Sequence, residues 1–505
     1  MPVSYPGVYL QEVPSGVQAI PGVSTSTAAF VGAAPRGLPD TPVRIASFGD
    51  YVRHFGGLSH DSPMSYAVSH FFLNGGSDAV VVRVAREATS AVIALPADGE
   101  VLRLEARSPG AWGDRVSVSV TPSEAAPGAF TVIVEEAGTG GAVTVSETFA
   151  DLTIERGHPR HVGAVLAAES ALVTMIGDAP SAAPDETPAP QRLGGGSDGE
   201  PITDADLCGP GTEERRRGLY ALDGVDLFNL LVVPPLRRDG EVGSATHDAA
   251  LAYARRRRAV YLADAPDSWS KSANPVAAAE AGIDALIERL DNGALYFPRI
   301  MTPDPLQENR LAPFAPAGAV AGVIARTDAQ RGVWKAPAGT EATLVGVPGL
   351  TVALNDADCA RLNRIGIDCL RRFPGIGTAV WGARTLHGSD TTADEWKYLP
   401  VRRTAYYIEE SLYRGLRWAV FEPNDEPLWA QIRLAVGTFM AGLFRQGTFQ
   451  GSSASEAYFV KCDATTTTQS NIDRGIVRAV IGFAPLRPAE FVVIAIEQPA
   501  GQSAS

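Results

Sequence analysis

Between residues 201 and 390 the chain repeats one pattern, a short apolar run followed by a stretch with helical spacing. Leu227-Phe-Asn-Leu-Leu-Val-Val233 runs into Pro234-Pro235, and residues 249–258 then read as a helix. Ala259-Val-Tyr-Leu-Ala263 is a second run, residues 275–290 are a helix ending at Asn292-Gly293, and Ala294-Leu-Tyr-Phe297 is a third run. These runs are too short for buried helices and apolar on both sides, so they read as strands covered on both faces. Strands alternating with helices imply an α/β fold on a mainly parallel sheet. Residues 26–86 repeat the theme. Ala28-Ala-Phe-Val-Gly-Ala33 and Asp78-Ala-Val-Val-Val-Arg-Val-Ala85 are strands, separated by a short capped helix opening at Ser47-Phe-Gly-Asp50 and a helix over 64–73 stopped by Asn74-Gly-Gly76.

Residues 87–200 change character. Val116-Ser-Val-Ser-Val120 and Thr131-Val-Ile-Val134 alternate or are β-branched, with Gly138-Thr-Gly-Gly141 as a turn. They read as a β-rich insertion closed by a flexible linker, Pro/Ala-rich from Ala179 and Gly-rich from Gly194 to Gly199. Past residue 390, 401–418 is a helix supported by Glu410 and Arg414 four residues apart. Pro427 opens a further helix, with Asn424, Asp425 and Glu426 supplying caps and negative charge. Trp429, Ile432, Val436, Phe439, Met440 and Leu443 keep its spacing, and Gly447 stops it. Residues 447–469, rich in Gly, Ser and Thr, read as a connection.

Both ends carry a strand with no nearby hairpin partner. At the start, Gly7-Val-Tyr-Leu-Gln-Glu-Val13 lies in an extended arm punctuated by Pro2, Pro6, Pro14 and Pro21. At the end, Phe491-Val-Val-Ile-Ala-Ile-Glu497 precedes only a polar tail. Such strands complete a sheet, in their own subunit or in a neighbour.

The 505 residues suffice for two to four domains. A formal net charge of −14 argues against non-specific nucleic-acid binding and against an anionic membrane surface. No stretch approaches the ~20 apolar residues of a membrane span, and the first residues lack a signal peptide's basic start and apolar core. The expectation is a chain made in the cytoplasm and not inserted in a membrane. Cys208, Cys359, Cys369 and Cys462 form neither a CxxC pair nor a disulfide scaffold.

Catalytic spacings are scarce. No Gly-Lys dipeptide is present, so there is no Walker-type phosphate loop. Gly375-Ile-Gly377 reads as a tight turn before Ala379-Val-Trp381, and Gly195-Gly-Ser197-Asp-Gly199 as linker, since a nucleophile elbow needs a strand before it and a helix after. His158 and His161, split by Pro159, read as surface or capping residues. Arg215-Arg-Arg217 and Arg255-Arg-Arg-Arg258 read as solvated helix faces or intersubunit ion pairs, because no aromatics interleave them. Cys462 reads as a small buried residue. No catalytic, cofactor or metal site is expected.

A set of motifs spread along the chain resembles the contractile tail sheath family, whose members serve phage tails, R-type tailocins and extracellular contractile injection systems. The set comprises Tyr5-Pro-Gly-Val-Tyr-Leu-Gln-Glu-Val13, Gly218-Leu-Tyr-Ala-Leu222, Asn229-Leu-Leu-Val-Val-Pro-Pro235 and Ala315-Pro-Ala-Gly-Ala-Val-Ala-Gly-Val-Ile-Ala-Arg-Thr-Asp328. It continues with Arg331-Gly-Val-Trp-Lys-Ala-Pro-Ala-Gly339, Phe373-Pro-Gly375, Val380-Trp-Gly-Ala-Arg-Thr385, Tyr398-Leu-Pro-Val-Arg-Arg403 and Phe421-Glu-Pro-Asn424.

The resemblance implies a structural subunit and not an enzyme. It implies hexameric rings stacked helically around an inner tube, contraction that drives the tube through an envelope, and baseplate and terminal cap proteins as further partners. It implies a multi-domain α/β (α+β) subunit. Residues 1–20 and 390–505 are expected to form the inner domain, 21–86 with 201–389 the middle domain, and 87–200 a β-rich outer domain. Val8, Tyr9, Leu10 and Val13, with Phe491, Val492, Val493, Ile494 and Ile496, are the expected donated strands. Gln431, Arg433 and Arg445 are the candidate tube-facing residues, or else the two arginines pair with carboxylates of a neighbouring sheath subunit. The alternative reading is another structural tube or shell protein of a phage-like particle. An α/β hydrolase or nucleotide enzyme is the remaining class, marked by ligand-dependent stabilisation.

Overall fold

The structure, a computed structural model, describes residues 18–123, 128–138, 140–388 and 394–490. They form two compact units. One holds Ser24–Arg331 with Ala336–Leu399, and the other holds residues 18–23, 332–335 and 400–490.

The first unit is built on an eight-stranded sheet. Its order is Gly377–Val380, Ile367–Phe373, Gly293–Phe297, Val260–Asp264, Leu230–Val232, Ala28–Gly32, Ala79–Arg83 and Val43–Ile45. The six inner strands pair in parallel and both edge strands are antiparallel. Ala28–Gly32, Ala79–Arg83 and Val260–Asp264 are buried at every position, which is why they read as near-continuous apolar runs. The Gly375 turn joins the two strands at one edge as a hairpin, with φ of +76° at Gly375 and +101° at Gly377.

Caps set the helix starts. Ser47 accepts from the Asp50 N–H ahead of Phe48–Phe55, Ser62 accepts from Ser65 ahead of Pro63–Leu73, and Asn274 accepts from Ala277 ahead of Pro275–Leu286. Pro63–Leu73 packs on Ala317–Arg331 at very close range. A Cβ at Gly318 would stand 2.3 Å from the Ala67 carbonyl oxygen, and one at Gly322 would stand 2.4 Å from that of Phe71. Glycine is what lets these backbones meet.

The insertion builds a four-stranded antiparallel sheet, Gln191–Arg192, Val116–Pro122, Phe130–Ala137 and Val143–Leu152, and a three-stranded one, Val92–Ala97, Glu100–Ala106 and Val173–Met175. It has its own core around Leu95, Trp112, Phe130, Phe149 and Leu166. The stretch read as a flexible linker is ordered. Asp185, Thr187 and Leu193 donate to the Pro96, Val120 and Val116 carbonyls, Gly194 pairs with Val92, Ser197 with Thr89 and Glu200 with Arg86. Backbone pairing fixes it despite its composition. An ion pair of 2.9 Å between Arg36 and Glu136 ties the insertion to the sheet end, with the Arg36 guanidinium 4.7 Å from the Trp112 ring centre.

Candidate assembly surfaces

The second unit is where both chain ends attach. Its core joins Ile20 to the helices Leu399–Gly415 and Glu426–Arg445 through Ile408, Leu428, Trp429, Ile432, Val436, Met440 and Leu443. The Glu410–Arg414 pair forms at 2.7 Å. Residues 18–23 are fixed along the first of these helices. Val23 donates its N–H to Ser411 Oγ, and Ile20 lies so close to Gly415 that a Cβ there would stand 2.5 Å from it. Residues 18–23 are therefore held against this helix.

The longer helix starts where its capping residues placed it. Asp425 accepts from the Leu428 N–H at 3.2 Å, and Pro427 sits in the first turn. Gln431 and Arg445 are exposed and, at ~100° per residue, fall within ~40° of one another around the axis. Arg433 does not join them. It is half-buried and donates to the Glu426 carboxylate and the Cys462 carbonyl, and the Glu426 bond raises its pKa. Its carboxylate partner thus lies in its own helix. Val8, Tyr9, Leu10, Val13, Phe491, Val492, Val493, Ile494 and Ile496 lie outside the described residues.

Sequence reading missed one element. Tyr458–Lys461 and Val480–Phe483 form a two-stranded antiparallel ribbon, so residues 447–469 are more than a connection. Tyr458, Val460, Ile481 and Phe483 face the core, while Phe459 and Val480 on the other side are 55% and 37% exposed. Gly482 lies opposite Phe459, whose ring occupies the place of a side chain there. Among the described residues the ribbon gains only one further pairing, an isolated bridge between Phe449 and Pro485. The β-branched and aromatic residues of Tyr458-Phe-Val-Lys461 and Val480-Ile-Gly-Phe483 were the available signal. A ribbon this short is marginal alone, and among the described residues no further strand pairs along its edges.

The remaining candidates are absorbed by the fold. Arg255 pairs with Asp291, Arg256 with Glu213, and Arg257 donates to the Leu222 and Val225 carbonyls, all within the subunit. His161 caps the helix Val162–Glu169. Ser197 Oγ accepts from the Gly199 N–H in a turn paired with Thr89. Cys462 is fully buried, and burial pushes its thiol pKa up. Among the described residues no group of three or more His, Cys, Asp or Glu side chains could hold a metal ion, and no helix is long and apolar enough to cross a membrane.

Comparison with known proteins gives a consistent picture. Residues 210–386 match the family model for the phage tail sheath protein central domain, and residues 391–498 that for the phage tail sheath C-terminal domain. A putative prophage major tail sheath protein of Pseudomonas aeruginosa (strain UCBPP-PA14) is 29% identical over 287 residues, 54% of this chain and 67% of that protein. The tail sheath protein of Vibrio phage KVP40 is 27% identical over 187 residues, 37% of this chain, and the match spans only 26% of the phage protein. Among solved structures, the contracted PVC sheath complex of an extracellular contractile injection system aligns with a TM-score of 0.60 at 22% identity, covering 99% of this chain and 98% of that one. A sheath tail protein from Listeria innocua aligns with a TM-score of 0.62 at 13% identity, covering 92% and 96%.

Proposed function

The chain belongs to the phage tail sheath family, and on that premise we propose that it is the structural subunit of a contractile sheath. Copies assemble as hexameric rings stacked helically around an inner tube, with baseplate and cap proteins closing the two ends. Contraction of the stack drives the tube through a target envelope. The protein acts by assembly, not by catalysis. It is put together in the bacterial cytoplasm and works as part of a virion tail or injection particle. Residues 1–20 and 390–505 face the tube, 21–86 with 201–389 form the middle layer, and 87–200 point outward.

The observation that carries this reading is the ribbon, two-stranded among the described residues. Each copy holds one two-stranded ribbon and two terminal segments of β-prone sequence, around Val8–Val13 and Phe491–Ile496. In this reading, terminal strands of neighbours add to the ribbon and complete its hydrogen bonds. The mesh so formed depends on backbone pairing and not on the packing of whole domains. Rigid bodies can therefore rotate past one another while the strands stay joined. The tube contact is assigned to the exposed face bearing Gln431 and Arg445, with Arg433 bracing the helix from behind. A charged contact suits a surface that must let go.

Deletion of residues 491–497, or of 7–13, tests the reading. The variant subunit is expected to melt as the parent does and to form no ordered sheath. Sheath of full length from either deletion would refute strand donation.

A further inference from the structure

The loop between the two long helices of the second unit carries the most exposed apolar side chain described. Phe421 is 102% exposed and Val420 61%. Phe421 also holds φ at +73°, and it is the one apolar residue among the described non-glycine residues with left-handed backbone. Bulky side chains avoid that region, so the tip is strained as well as solvated. It is nevertheless built rigidly. Asn424 accepts from Trp429 Nε1 at 2.9 Å and donates Nδ2–H to the Ile476 carbonyl at 3.2 Å, and Glu422 donates to the Ala419 carbonyl.

The Ile476 bond places this loop at one particular end of the ribbon, the Lys461–Val480 end. The ribbon's outward side carries Phe459 and Val480, both at least 37% exposed, with the exposed Lys461 between them in register, and Ile476 in the segment leading to Val480 is exposed to the same degree. The sequence supplies a strand that suits such a face. Phe491, Val493 and Ala495 lie on one side of the C-terminal run and Val492, Ile494 and Ile496 on the other, so it needs cover on both. The N-terminal strand, with Gln11 and Glu12, is apolar less completely. Next to the ribbon, one side of the C-terminal run would continue the core-facing row of Val460 and Ile481. Its other side would continue the row of Phe459 and Val480 and meet Phe421. The described chain leaves the ribbon at its other end, where Pro485, just past Phe483, bridges to Phe449.

We propose that the Val420–Phe421 tip is an anchor for a second copy of this chain, closing over the outward side chains of that copy's 491–497 strand. This rests on the strand-donation reading and adds to it a side-chain contact that locks the donated strand in register.

The test uses the full-length chain. Phe421→Gly removes the ring and relieves the left-handed backbone, so the isolated subunit is expected to melt no lower than the parent. Its critical concentration for sheath assembly is expected to rise at least tenfold. Parental assembly by Phe421→Gly would overturn the proposal, while loss of assembly on deleting 491–497 in the same assay would leave strand donation standing. If that deletion assembles as well, strand donation itself fails. A photoreactive benzoylphenylalanine at position 421, in mixed isotope-labelled and unlabelled sheath, is expected to cross-link to the 491–497 peptide of another copy. A cross-link to the same chain, or to the tube protein alone, would overturn the proposal.

Discussion

Gly322→Ala sets two effects of known sign against each other. Alanine in a helix interior gains ~1 kcal/mol over glycine. At Gly322 the added Cβ would stand 2.4 Å from the Phe71 carbonyl oxygen and 2.8 Å from Asn74 Cβ. Neither neighbour can yield by a side-chain rotation. The oxygen is backbone in the last turn of Pro63–Leu73, and Asn74 is a buried helix cap whose Nδ2–H donates to the His70 carbonyl and whose Oδ1 accepts from the Val345 N–H. The helices must separate by roughly 1 Å, an overpacking that costs ~1–3 kcal/mol, with the Asn74 bonds adding ~1 kcal/mol if either breaks. Less the propensity gain, the steric cost leaves a net loss of up to ~2 kcal/mol, or up to ~3 kcal/mol if an Asn74 bond breaks as well. The matched control is Gly437→Ala in the helix Glu426–Arg445, where a Cβ meets nothing within 4 Å and only the propensity gain remains. Urea melts of both variants, followed by hydrogen exchange to localise the change, would show Gly322→Ala less stable than the parent and Gly437→Ala equal or more stable. Equal stabilisation by both would refute the close helix contact.

Acid stability should follow two buried histidines and one buried aspartate. Burial lowers His70 and His247 to about 4, so each stabilises the fold above pH 6.5 and loses up to ~3 kcal/mol as pH falls from there through 4. Burial raises Asp264 to about 7, so its contribution has the opposite sign, full below the ordinary carboxyl value and lost as pH rises through 7. His70→Gln should flatten the acid limb of a stability–pH curve and Asp264→Asn the neutral limb, and unchanged slopes would contradict both assignments. Arg445→Glu should leave subunit melting unchanged and impair assembly on the tube, whereas normal sheath length would remove this face from the tube contact. Arg433→Glu should cost the subunit up to ~1 kcal/mol, because it sets a second carboxylate beside Glu426 in a partly solvated site.

The parallel sheet was legible because strands covered on both faces must be apolar at nearly every position, as in Ala28–Gly32 and Val260–Asp264. Its edges were not. Val43–Ile45 is three residues long with only Ile45 buried, and nothing local marks it. The sheet order was equally hidden, because the crossovers that set it depend on long-range packing. Residues 179–199 misled for a different reason. Their glycines and prolines favour flexibility in isolation, and the backbone pairs with Val92, Val116 and Val120 that hold them are tertiary. Of the candidate surface, the helix start at Asp425 and Pro427 was plain from capping chemistry. That Arg433 turns inward to Glu426 and the Cys462 carbonyl was not, since helical spacing gives direction but not partners.

The most direct test is an electron cryo-microscopy map of the assembled particle before and after contraction. The account predicts that the Tyr458–Lys461 and Val480–Phe483 ribbon is extended by terminal strands of other copies, and that these pairings persist in both states while the surrounding bodies move. A ribbon that stays two-stranded, or pairings that break on contraction, would contradict it.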